Sequence, residues 1–270
     1  MTQVPPRLHV IPATGCDKAL VLRRGPKNKV ASLLWDRTTG DCQMGQWVIG
    51  RIYEHRSDLS PDGRHMIVFA RRTDARNAWT ALSRAPWLHA LQFYAQEHTW
   101  HGGGAFDAEG RVWLNGAQPA GAPMPDGLKP ADVSAFPHAT DGFHMGNLYA
   151  EKMKLRGWSL RSGERYDIVM TKPFDQHWHV ELTIKLGEKN RSLVSDGFAL
   201  VHKGQDMRIE KPDWEWADPF SGSLQYAANG ALHSASVSSN GNLKNQRIIK
   251  DFNEMVFEPL KAPYQGVTDQ

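Results

Sequence analysis

Three times in this chain an acidic or amide residue is followed by glycine, a small or basic residue, and then a run of strand length. Asp58-Leu-Ser-Pro-Asp-Gly-Arg64 leads into His65–Ala70, Phe106-Asp-Ala-Glu-Gly-Arg111 into Val112–Leu114, and Tyr226-Ala-Ala-Asn-Gly-Ala231 into Leu232-His-Ser-Ala. Asp, Glu or Asn folds back on its own backbone and glycine supplies a positive φ, so each reads as a hairpin corner. Thr39-Gly40-Asp41, Ser162-Gly163-Glu164 and Asp196-Gly197 are weaker echoes. Between the corners lie short apolar runs, among them Ala19–Leu22, Val30–Trp35, Gln46–Ile52, Asp167–Met170, Val180–Leu186 and Phe198–Val201. Their length is that of strands. Val180–Leu186 alternates strictly, as a strand with one wet face does, whereas His65–Ala70 is apolar nearly throughout, as a strand covered on both faces is.

Gly63 to Gly110 is 47 residues and Gly110 to Gly163 is 53. Hairpin units recurring at that period are the signature of propeller blades. The expected fold class is therefore all-β, an irregular β-propeller of five or six blades, with one or two short helices possible. Two segments could supply the helices. Ile248, Ile249, Phe252, Met255 and Val256 form a helical stripe, and Trp87, Ala90, Leu91 and Tyr94 follow Pro86 with the same character. Either is equally readable as a strand imposed by tertiary context. Residues 1–270 are read as one propeller domain. Segment 116–142, with five prolines, is a long loop or a hinge between two halves.

The stretch Leu59-Ser-Pro-Asp-Gly-Arg64, followed by its apolar strand, resembles the blade motif of TolB-like and WD40-like β-propellers. Gly50–Ala70, Ala78–Phe106 and Asp251–Pro263 resemble a family of uncharacterised bacterial proteins of similar length. The resemblance covers about half the chain and implies a scaffold rather than a chemistry. The chain departs from WD40 proteins in having Trp35-Asp36 as its sole Trp-Asp pair.

The charge balance, 32 basic against 29 acidic residues, argues against nucleic acid as a partner. The short basic groups Arg23-Arg24 with Lys27 and Lys29, and Arg71-Arg72 with Arg76, read as solvated strand ends. No apolar window is long enough to span a membrane, and the polar, proline-bearing stretch Met1 to Arg7 shows no apolar h-region behind a basic start. Two cysteines, Cys16 and Cys42, make neither a metal site nor a disulfide framework, so a cytoplasmic monomer with reduced thiols is expected.

Four groups of residues could carry function. His177, His179 and Glu181 sit two apart on one strand face, and two imidazoles with a carboxylate suit Zn or Fe; a polar strand face explains them equally. Thr99-Trp-His-Gly-Gly-Gly-Ala105 lacks the Lys-Ser or Lys-Thr of a phosphate loop, so its glycines read as a crowded connection, beside which Trp100 and His101 could line a pocket. Trp214 and Trp216 would share one side of an extended chain, as core or as a partner hot spot. Asp36, Glu54, Asp58, Asp107 and Asp218 are candidates for a glycosidase pair at a central opening. The leading expectation is a module binding an unidentified protein or peptide partner through its loop face, without a cofactor. The alternative is a hydrolase, either the carboxylate pair or a metal enzyme at His177, His179 and Glu181.

Overall fold

A computed structural model describes residues 4–25, 27–72, 77–116, 124–138, 145–186 and 194–266. Strands hold 51% of the residues against one α-helix, and the fold is all-β, a β-propeller with four detected blades. The chain divides into two compact units, one of residues 1–9 and 143–254, the other of 10–142 and 255–270.

In the second unit, β1 (Arg7–Pro12, whose first residues belong to the other unit), β2 (Lys18–Arg24), β3 (Lys29–Asp36) and β4 (Cys42–Ile49) form one antiparallel blade in chain order. The next blade is ordered β5 (Arg51–Ile52), β7 (His65–Arg71), β8 (Ala78–Arg84) and β9 (Ala90–Gln96), with β6 (Asp58–Leu59) also pairing with β7. A two-stranded hairpin, β10 (Gly104–Phe106) with β11 (Val112–Leu114), follows. β7 is covered on both faces, as its unbroken apolar run requires. Met66, Val68 and Ala70 enter a core with Leu20, Leu22, Val30 and Ile52, whereas Ile67 enters another with Leu82, Phe106, Val112 and Leu114.

The first unit carries two blades. One is ordered β12 (Ser159–Ser162), β13 (Ile168–Pro173), β14 (Trp178–Leu186), β15 (Val194–His202) and β16 (Arg208–Glu210). The other is ordered β17 (Trp214–Phe220), β18 (Ser223–Ala228), β19 (Ala231–Val237) and β20 (Leu243–Asp251). Trp178, Val180, Leu182 and Ile184 of β14 all enter one core with Leu224 and Tyr226 of β18, as the alternation predicts. The Asn229-Gly230 corner joins β18 to β19 with φ of 52° and 75°, the double positive φ of a type I′ hairpin.

Among the described residues four blades are detected, where the turn spacing points to five or six. Between Phe106 and Val112 the corner closes only the two-stranded hairpin, and parts of the segment that follows it, 117–123 and 139–144, lie outside the described residues. Within segment 116–142, Pro125–Gly127 forms a single 3-10 turn. Neither of the two segments open to both readings is helical. Leu91 and Tyr94 lie in β9, and Ile248 and Ile249 in β20, because β8 and β19 each offer a strand edge whose backbone groups need partners. The α-helix is instead α1 (Met145–Leu155), which buries Leu148, Tyr149, Ala150 and Met153. Among the described residues no helix is long and apolar enough to cross a membrane.

Candidate functional site: a loop braced by a buried arginine

The loop from Glu97 to Gly103 joins β9 to β10. Arg56, buried at the end of the short turn Glu54–Arg56, reaches under it. Its Nη1 donates to the Thr99 carbonyl at 2.7 Å and to the His101 carbonyl at 3.2 Å. Its guanidinium lies 5.2 Å from the centre of the Phe69 ring, which stands on β7. A buried, charge-assisted bond to two carbonyls of one loop holds that loop against the blade.

The glycines complete the brace. The Gly102 N–H donates to the Asn115 carbonyl at 2.7 Å, and the Gly103 N–H to Thr80 Oγ1 at 2.8 Å. With those two donors consumed, Gly102 and Gly103 form no anion-binding nest; they are a close approach of chains. A Cβ on Gly102 would lie 2.2 Å from the Phe69 ring and one on Gly103 2.3 Å from the Arg56 carbonyl oxygen. Both positions have positive φ, 113° and 77°.

What this fixed loop presents is Trp100, 49% exposed, with His98 and His101 beside it, their rings 5.4 Å apart. An exposed indole on a backbone that does not have to be ordered on binding is the kind of contact that costs little entropy to use. The sequence pointed to Trp100 and His101; it carried no sign of Arg56, whose contact partners lie 43 and 45 residues away.

The other candidate residues fall elsewhere. Trp214 and Trp216 are buried, at 7% and 4% exposure, and do not share a side. A bulge between them shifts the register, so Trp214 enters the core with Ala217 and stacks on Tyr226 at 4.7 Å, while Trp216 lies outside that core. A partner cannot reach them as a pair.

His177, His179 and Glu181 are not gathered into a ligand set. Successive residues on one strand face are about 7 Å apart, so three in a row spread over about 14 Å. Glu181 accepts from Arg208 at 2.8 and 3.0 Å, and His177 stacks on His202 at 5.8 Å. Burial, partly opposed by Glu181, lowers the His179 pKa from its ordinary value. These contacts account for the three side chains as the polar face of β14. His138, a conceivable further ligand, packs on Trp113, and His144 lies outside the described residues.

The carboxylates are engaged one by one. Asp36 caps the turn at Thr38 and Thr39. Glu54 pairs with Arg24 at 3.4 Å. Asp58 accepts from the Phe106 N–H, Asp107 from Arg111, and buried Asp218 from Lys172 Nζ at 2.7 Å.

Two clusters had no counterpart in the sequence reading. In the first unit Tyr149 of α1 hydrogen-bonds Asp196 of β15 and lies 6.3 Å from the His9 ring. Burial first, and Asp196 second, push its phenol well above the ordinary value, so it stays protonated. In the second unit Asp126, in the Pro125–Gly127 turn, binds Arg84 of β8 through both oxygens, at 2.5 and 2.7 Å, and meets His65 of β7 at 3.2 Å. Both join residues too far apart in sequence for spacing to reveal them.

No family model matches the chain, and no curated protein matches it. Solved structures similar to it include the uncharacterized protein lmo1340 from Listeria monocytogenes EGD-e, at 11% identity and a TM-score of 0.30, covering 91% of this chain and 83% of that one. A prolyl endopeptidase structure is similar at 10% identity and a TM-score of 0.29, covering 90% of this chain and 43% of that one. The tricorn protease is similar at 10% identity and a TM-score of 0.26, covering 94% of this chain and 36% of that one. The chain spans less than half the length of either peptidase chain.

Proposed function

We propose that this propeller is a binding module that takes a protein or peptide partner at the loop Glu97–Gly103. The observation that carries the reading is an exposed Trp100 on a backbone braced by buried Arg56 and by glycines that admit no side chain. Tryptophan is among the residues most enriched at interface hot spots, and a fixed loop on a rigid blade loses little freedom on contact. A glycosidase needs two carboxylates set across a substrate, and the candidates here are each engaged as turn caps, strand contacts or ion pairs. The two free cysteines, Cys16 and Cys42, support a reducing compartment, the cytoplasm.

A photo-reactive amino acid placed at position 98 tests this in extract of the source cell. The reading expects a cross-linked polypeptide that disappears when Trp100→Ala is added to the same chain. Cross-linking that ignores Trp100→Ala, or none at all, rejects the loop as the contact.

A further inference from the structure

One row of one sheet face in the second unit is unlike any other described part of the chain. In register across the blade stand Arg51 of β5, Arg71 of β7, Ala78 of β8 and Gln96 of β9. Arg51 and Arg71 are direct cross-strand partners, so two positive side chains leave the same face side by side. Like charges so placed are destabilising unless something lies between them.

Neither arginine forms an ion pair or hydrogen bond with a described carboxylate, and Glu54, three residues from Arg51, is held by Arg24. Residues 73–76 lie outside the described residues. The Nε atoms of Arg51 and Arg71 are buried without a hydrogen-bond partner, and so is Oε1 of Gln96. Three of the orphaned buried polar atoms in the chain thus belong to a single row. Such groups are normally satisfied, and a buried guanidinium N–H without an acceptor carries a desolvation cost.

The surroundings hold the row in place. Arg51 lies 4.8 Å over the Tyr53 ring, and Tyr53 packs on Phe69 at 5.0 Å. Gly50 meets the backbone of Arg71 and Arg72 so closely that a Cβ there would lie 2.5 Å from the Arg71 carbonyl oxygen. The Gln96 amide is tucked against Gly102 and Gly116. The arginines are therefore positioned by the blade rather than free in solvent.

We infer that the Arg51–Arg71 pair is a binding site for an oxyanion, a carboxylate or phosphate group of an acidic ligand. An oxyanion presents several acceptors in a compact group, neutralises the opposed charges, and matches the planar fork of each guanidinium. If it carries a donor hydrogen, as a protonated phosphate does, Gln96 Oε1 accepts it. This site uses none of the loop's exposed side chains and stands whether or not Trp100 meets a partner.

The test is thermal unfolding in chloride at constant ionic strength, titrated with inorganic phosphate in one arm and acetate in the other. Wild type should show a saturable rise in midpoint with at least one of the two. Phosphate alone points to a phosphorylated ligand, and acetate to a carboxylate. Arg51→Gln and Arg71→Gln should each weaken that response roughly tenfold to a hundredfold, the worth of one charge-assisted contact. In chloride alone both variants should be at least as stable as wild type, since each removes an uncompensated like charge. The proposal is overturned if neither anion raises the wild-type midpoint saturably, if the variants respond as wild type does, or if either variant is less stable in chloride. The last result would mean the guanidiniums already serve the fold.

Discussion

At Gly102 backbone and packing make the same demand. The φ of 113° is one that L side chains avoid, and the site of a Cβ is taken by the Phe69 ring. Gly102→Ala should therefore cost about 2–4 kcal/mol in urea unfolding, from left-handed strain and overpacking together. The tryptophans divide in the opposite way. Trp214→Ala should cost about 3–5 kcal/mol, because it empties a stacked core position. Trp100→Ala should shift stability by less than about 0.5 kcal/mol, because half of that side chain already faces solvent. The same denaturation series measures both. Spacing alone makes Trp214 and Trp216 a pair; the bulge that separates them follows from how β18 pairs with β17. A two-residue interval states a shared face only while the strand stays regular.

At the scale of elements, β14 was readable because its alternation is local. β9 and β20 were open to two readings, and the helical stripes of both gave way to pairing. In β20 the stripe carried little weight, because Ile248 ends 60% exposed and has no core to enter as a helix. Zinc should not distinguish wild type from His179→Ala. The midpoint change on adding one equivalent should agree within about 1 °C, since the three side chains on β14 do not converge.

The turn Pro125–Gly127 is held to β7 and β8 by Asp126. The hydrogen bond from Arg84 holds the Asp126 carboxyl below its ordinary value of 3.8, against an opposing effect of burial, and His65 adds to the lowering. A carboxyl lowered on folding contributes stability that is fully present above its unfolded pKa and lost as pH falls through the folded one. Asp126→Asn should therefore be less stable than wild type at neutral pH, begin to converge with it as pH falls below about 4, and match it only below the lowered folded value. Thermal midpoints measured across that range check the sign. Arg84, His65 and Tyr264, whose ring lies 5.0 Å from Arg84, are the groups that face this carboxyl and should be held constant.

Across a whole unit, strands of different blades meet through buried polar contacts as well as through apolar cores. In the first unit Lys172 of β13 bonds Asp218 of β17, whose side chain is almost fully buried. Asp218→Ala should destabilise by about 3–5 kcal/mol, because a partly buried ammonium is left without its partner. Chemical denaturation would measure it, and a loss below about 1 kcal/mol would place the pair among ordinary surface ion pairs.

The sequence by itself determined the corners, the strand lengths, the one-faced β14 and the two-faced β7, and from these the all-β propeller class. Each is a matter of neighbouring residues, since glycine's φ, the Asp and Asn turns and the two-residue period act over a few bonds. Only the tertiary structure decided the blade count, the strand form of β9 and β20, the burial of Trp214 and Trp216, the bracing of Trp100 by Arg56 and the meeting of Arg51 with Arg71. Those depend on which strand pairs with which, and in what register. Backbone hydrogen bonding settles that between segments far apart in the chain, where no local pattern reaches.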